Sequence, residues 1–225
     1  METNSPPTVR ADDNGGSGGH VLLLAFPGAQ GHLNRMLQFG RRLAYHGLRP
    51  TLVTTHRLLV TLPPPAAPFR VAAISDGMAA CADFEDYLRR LAAAGSDSLE
   101  ALFRSEAAAG RPVRVLVYDP HLPWAGRVAR AAGVPTAALF SQPCAVDLIY
   151  GEVYAGRVGL PVVDGDALTG LLSVDLGPED VPSFVAAPDS YRMLLDVVVD
   201  WWGSSRDWRT HTTSSSTHST NSSGS

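Results

Sequence analysis

Residues 21–26 are an unbroken apolar run that stops at Pro27-Gly28, and a helical pattern begins a few residues later. A run with no polar alternation suits a strand buried on both faces. Such a strand needs helices on both sides of its sheet, and the rest of the chain supplies them in alternation. Leu33, Met36, Leu37, Leu43 and Ala44 share one stripe of a helix over 33–46, which Gly47 stops. Residues 51–55 and 69–74 predict the next two strands. Two helices follow, one over 84–94 and one opened by Asp97 and Glu100 at capping-box spacing. Then come a strand over 113–118, a helix over 124–132, a strand over 134–140 and a helix from Pro143 to about 156. The predicted fold is α/β, a Rossmann-like parallel sheet with helices on both faces.

Residues 1–19 are polar and rich in Gly and Ser, without periodicity, and are expected to be disordered. The folded domain is expected over 20–202, with a surface loop at Pro63-Pro64-Pro65 and a last helix over 191–202. Residues 203–225 hold fourteen Ser or Thr, a composition that cannot bury enough apolar surface to offset ordering entropy. His211 and His218 in this tail do not make a metal site. Neither a secretory signal nor a run of ~20 apolar residues is present, so a cytoplasmic protein without membrane insertion is expected. The net charge of −4 gives no reason to bind nucleic acid. Cys81 and Cys144 are too few for a disulfide framework and read as buried small hydrophobes.

All eighteen basic residues are arginine; there is no lysine. A P-loop NTPase, a Schiff-base enzyme and a short-chain dehydrogenase each need one, so all three are excluded.

Three positions follow the carboxyl ends of predicted strands: His32, Asp119, and Ser141 with Gln142. In a parallel sheet these ends share one edge, where open α/β folds place ligands. An imidazole there can take a proton from an attacking acceptor, and a carboxylate on its other nitrogen stabilises the resulting cation. His32 and Asp119 have the identities for that pair. The same residues also suit a hydrogen-bonded loop histidine and a turn-forming Asp before Pro. Gly28 and Gly31 allow a phosphate to approach a helix N-terminus but lack the spacing of a dinucleotide fingerprint. His46, His56 and His121 have no comparable partner and read as structural or exposed.

Several segments resemble plant-type UDP-dependent glycosyltransferases. They are His20-Val21-Leu22-Leu23-Leu24, Gly28-Ala29-Gln30-Gly31-His32-Leu33-Asn34 and Met36-Leu37-Gln38-Phe39. Leu52-Val53-Thr54-Thr55, Tyr118-Asp119 and Leu122-Pro123-Trp124-Ala125 continue the series. Ser141-Gln142-Pro143-Cys144-Ala145-Val146 and Asp180-Val181-Pro182-Ser183-Phe184 complete it, in family order over about 20–200. The branch resembled glucosylates small carboxylic acids and phenols, such as indole-3-acetate or salicylate.

The resemblance implies the N-terminal domain of a GT-B fold and an inverting transfer from UDP-glucose to a small lipophilic acceptor. It implies His32 as base, Asp119 as its charge-stabilising partner, Ser141 near the donor sugar and Gln30 near the donor phosphates. Gly31 and Gln142, their neighbours, are further substrate-binding candidates. No cofactor and no metal are expected. Arg35 stands where the family usually has Pro at the helix start. The family's donor-binding domain has no counterpart in the chain, so a truncated product of doubtful activity alone is expected. The alternative is a non-catalytic fragment that binds small aglycones or a partner chain.

Overall fold

The computed structural model describes residues 9–10, 18–61, 69–77, 83–163, 165, 168, 170, 177 and 180–190. The expected proline loop, the helix at 191–202, the Ser/Thr tail, Cys81 and most of 1–19 lie outside these residues.

Five parallel strands form the sheet: β2 (His20–Leu24), β3 (Arg49–Thr55), β4 (Arg70–Ile74), β5 (Val113–Tyr118) and β6 (Thr136–Ala138). A short strand not expected from the sequence, β1 (Val9–Arg10), joins the edge antiparallel to β4. The spatial order is β1-β4-β3-β2-β5-β6, so the winding reverses between β2 and β5. That reversal opens a crevice at the strands' carboxyl ends.

Alternate residues of β2 explain its unbroken apolarity. Leu22 and Leu24 pack with Val53, Ile74 and Leu116 against α3 (Phe84–Ala108) and α4 (Pro123–Ala131). Val21 and Leu23 pack with Leu52 and Val117 on the other face, under Met36 of α1 (Gln30–Tyr45). Leu22, Leu23 and Leu24 are all fully buried. Truncating any of them to Ala removes about 2–5 kcal/mol.

The two helices expected between 84 and the fifth strand are one 25-residue helix, α3. Its true N-cap is Asp83, whose carboxylate accepts from Asp86 N at 2.8 Å. The expected boundary between 94 and Asp97 lies inside the helix, where Gly95 faces Trp124, whose ring carbon lies 2.7 Å from where a Cβ would stand. Glycine there permits close helix packing. Leu91, Gly95, Leu99, Leu102, Phe103 and Glu106 form the continuous buried stripe.

α1 begins three residues earlier than expected, so Arg35 is its sixth residue and exposed. Proline's tolerance in a first turn therefore has no bearing on Arg35. A short helix, α2 (His56–Thr61), follows β3 directly. α5 (Cys144–Tyr154) starts just after Pro143, and Cys144 is exposed rather than buried. A separate apolar cluster joins Ile149 and Tyr150 of α5 to Val158, Val162, Val181 and Val185. The last of these belongs to α6 (Ser183–Ala186).

Candidate active site

Three neighbouring strand ends supply the site. After β2 the chain turns at Gly28, whose φ of +80° suits glycine, and re-enters as α1 at Gln30. His32 is thus the third residue of a helix and not a loop residue. After β5, Asp119 N donates to Leu24 O at 2.9 Å, which fixes Asp119 beside the end of β2. After β6, Leu139 N donates to Tyr118 O at 2.9 Å, and Ser141 follows.

These side chains meet. His32 Nδ1 lies 2.5 Å from Asp119 Oδ2 and 3.1 Å from Ser141 Oγ. An ionised carboxylate only accepts, so Nδ1 carries the proton and the neutral ring keeps its lone pair on Nε2. Among the described residues nothing is bonded to His32 Nε2. The His32 side chain is 26% exposed and that of Asp119 only 2%. Burial alone would push the Asp119 carboxyl up. Hydrogen bonds and charge from His121 and His32 outweigh it and hold the group at about 2.

His121, read from sequence as lacking a partner, is a third member. Its Nδ1 donates to Asp119 Oδ1 at 2.8 Å, and its backbone N donates to the same oxygen at 3.0 Å. An Asp that caps the N–H two residues on folds that residue back over its own carboxylate. The Asp119-Pro120-His121 spacing was the signal for it. The two imidazoles meet edge to face with centroids 5.3 Å apart. Phe26 lies 6.0 Å from one and 6.1 Å from the other, and Phe84, half exposed, lies 6.4 Å from Phe26. His32, Asp119 and His121 together offer three metal-ligating atoms within 4.8 Å of one another.

The other candidates are more peripheral. Gln30 is exposed and donates to Asn34 Oδ1 at 2.7 Å. Gly31 is exposed, with open space where a Cβ would stand. Gln142 is half-buried next to Ser141. Gln30 also lines a cavity of about 120 Å³ with Pro27, Gly28, Leu33, Thr54 and Leu58. On α5, burial pushes the Asp147 carboxyl up to about 6, partly offset by the charge of His121. Burial, with the charge of Asp147, pushes the Tyr150 hydroxyl up to about 12. No helix among the described residues is long and apolar enough to cross a membrane.

No protein-family model matches the chain. Curated relatives do. The chain is 68% identical over 199 residues to UDP-glycosyltransferase 79 of Oryza sativa subsp. japonica, covering 84% of this chain and 42% of that protein. It is 38% identical over 183 residues to indole-3-acetate β-glucosyltransferase of Zea mays, covering 74% and 39%. The crystal structure of Os79 from O. sativa in complex with UDP superposes with a TM-score of 0.76 at 62% identity, covering 81% of this chain and 43% of that one. An anthocyanidin 3-O-glucosyltransferase structure shares the fold, with a TM-score of 0.64 at 20% identity. The chain spans about two fifths of the length of these relatives. In sequence and in fold, it matches the amino-terminal portion of the plant UDP-glycosyltransferase family.

Proposed function

We propose that this chain is the acceptor-binding part of a UDP-dependent glucosyltransferase, with His32 as general base and Asp119 as its charge partner. The 2.5 Å contact between His32 Nδ1 and Asp119 Oδ2 carries the reading, because it leaves Nε2 as a free acceptor at the open edge of the sheet. An acceptor hydroxyl gives its proton to Nε2 as its oxygen attacks the anomeric carbon. The bond from that carbon to UDP breaks, the configuration inverts, and Asp119 stabilises the imidazolium. A carboxylic acid acceptor attacks as its carboxylate and needs only positioning. Phe26 and Phe84 offer an apolar wall to a lipophilic acceptor. Ser141, Gln142, Gln30 and Gly31 rim the side from which the donor approaches, and the reaction needs no metal.

The relatives are more than twice as long, and the Os79 structure is a complex with UDP. Turnover by this chain requires the leaving group to be held as well as the acceptor activated. The second reading is therefore binding without turnover, in which the same cleft holds a small aglycone. The test incubates the purified chain with UDP-glucose and a panel of aryl acids, phenols and a trichothecene, the last being a ligand of the Os79 structure. Glucoside formation that falls about 10²–10⁴-fold in His32→Ala supports the enzyme. Aglycone binding with no product supports the second reading, and neither binding nor product contradicts both.

A further inference from the structure

We propose that His32, Asp119 and His121 form a site for a borderline transition-metal ion, Zn²⁺ foremost, and that the ion silences the histidine base. The site rests on the geometry of these three residues and does not require that the chain transfers sugar, whereas the silencing rests on the reading of His32 as base. Two imidazole nitrogens and a carboxylate oxygen already lie within 4.8 Å of one another. A tetrahedral ion at about 2.0–2.2 Å from each ligand separates them by roughly 3.3 Å. His32 Nδ1 lies 2.5 Å from Asp119 Oδ2 and His121 Nδ1 lies 2.8 Å from Oδ1, so the ligand atoms, now up to 4.8 Å apart, close by at most about 1.5 Å to admit the ion.

The frame for such a site is built in. Asp119 is buried and its backbone is tied to Leu24 O, while His121 N caps the same carboxylate. The His32 side chain is a quarter exposed, which gives an ion a way in. Three protein ligands with a side open to water is the arrangement of an accessible zinc site rather than a closed structural one. Nitrogen donors with one carboxylate select Zn²⁺, Co²⁺, Ni²⁺ or Cu²⁺ over Mg²⁺ and Ca²⁺, which prefer oxygen. The Phe26 ring beside both imidazoles limits water around the ion's charge.

Binding changes the base in a defined way. Both imidazoles now hold a proton on Nδ1, facing Asp119. A metal at Nδ1 needs that lone pair, so in each neutral ring the proton passes through water to Nε2. Proton count and charge on the rings are unchanged. Nε2 of His32 becomes an N–H donor, and the lone pair that would accept a proton is gone. An ion here is therefore an inhibitor and not a cofactor.

The experiment titrates the full chain, stripped of metal with a chelator, with ZnCl₂ by calorimetry, and follows the histidine ring nitrogens by long-range ¹H–¹⁵N NMR. One-to-one binding is expected, with His32 and His121 both switching from the Nδ1–H to the Nε2–H form, and MgCl₂ without effect. His121→Ala, which leaves the His32–Asp119 pair in place but removes a direct ligand, should weaken Zn²⁺ by at least the roughly tenfold to hundredfold that loss of an outer-shell partner costs. A His211→Ala/His218→Ala variant should bind as the unmodified chain does. No binding, affinity unchanged in His121→Ala, or affinity lost in the His211/His218 variant would each overturn the proposal. Aglycone binding and turnover, measured separately, report on the glucosyltransferase reading alone.

Discussion

The same sheet carries a buried carboxylate at each edge, and the two are held by different chemistry. At the amino edge Glu106, 1% exposed, receives Arg70 at 3.0 and 3.3 Å and Arg111 at 2.9 and 3.3 Å. At the carboxyl edge Asp119 receives two imidazoles and the backbone N–H of His121, and no guanidinium among the described residues. Guanidinium groups keep their protons at any ordinary pH, so the Glu106 cluster is a permanent clamp joining α3 to the starts of β4 and β5. A neutral imidazole can carry its proton on either nitrogen, so the Asp119 cluster can change tautomer without unfolding.

The histidines repeat the contrast. His20 donates from Nδ1 to Arg111 O at 2.9 Å and accepts from Thr51 Oγ1 on Nε2 at 2.9 Å, so both nitrogens are used. Burial lowers its pKa, so the 3.8 Å approach to Glu106 joins a neutral ring to a carboxylate. His32 uses one nitrogen and leaves the other open. A histidine with both nitrogens satisfied holds structure, and one with a spare lone pair can do chemistry.

Glu106→Ala should break the comparison most severely. It strands two partly buried guanidinium groups and should cost about 3 kcal/mol, read by urea denaturation. It should leave the His32 ring signals unchanged, and a cost below about 1 kcal/mol would mean that the amino edge is not a clamp. Asp119→Asn should cost about 2 kcal/mol near neutral pH, the value of a pKa lowered from 3.8 to about 2. Unlike the first variant, it should also release the fixed tautomer of His32.

Acid should act on the carboxyl edge in two opposite senses. Asp119, depressed on folding, contributes stability that is full above about pH 4 and is lost as pH falls towards 2. Asp147, raised to about 6, binds more protons folded than unfolded between about pH 4 and 6, so its contribution falls as pH rises through that window. Stability measured against pH with a chelator present should lose the second slope in Asp147→Asn and the first in Asp119→Asn. An unaltered slope in either variant would refute the assignment. The smallest effect belongs to exposed His46, where His46→Ala should change stability by less than about 0.5 kcal/mol.

The sheet and the site's centre were legible in the sequence because unbroken apolar runs mark buried parallel strands, and such strands bring their carboxyl ends together. That was enough to join His32, Asp119 and Ser141 across more than a hundred residues. What it missed depended on contacts. The capping-box spacing of Asp97 and Glu100 suggested a second helix, and only the contact of Gly95 with Trp124 shows why one helix runs through. Glu106 sits on the apolar stripe of α3, and an acid in that register was a sign of buried arginine partners that went unread. His121 needed the turn at Asp119 to show its partner. The acceptor of the proposed reaction is not written in these residues, because an apolar wall such as Phe26 and Phe84 would fit many lipophilic molecules.

The account turns on which nitrogen of His32 holds the proton. Long-range ¹H–¹⁵N NMR of the metal-free chain at about pH 8.5, assigned with His32→Gln, reads it directly. The prediction is a pyrrole-type Nδ1 and a pyridine-type Nε2, with the preference lost in Asp119→Asn. A His32 ring protonated on Nε2 in the unmodified chain would contradict the base assignment.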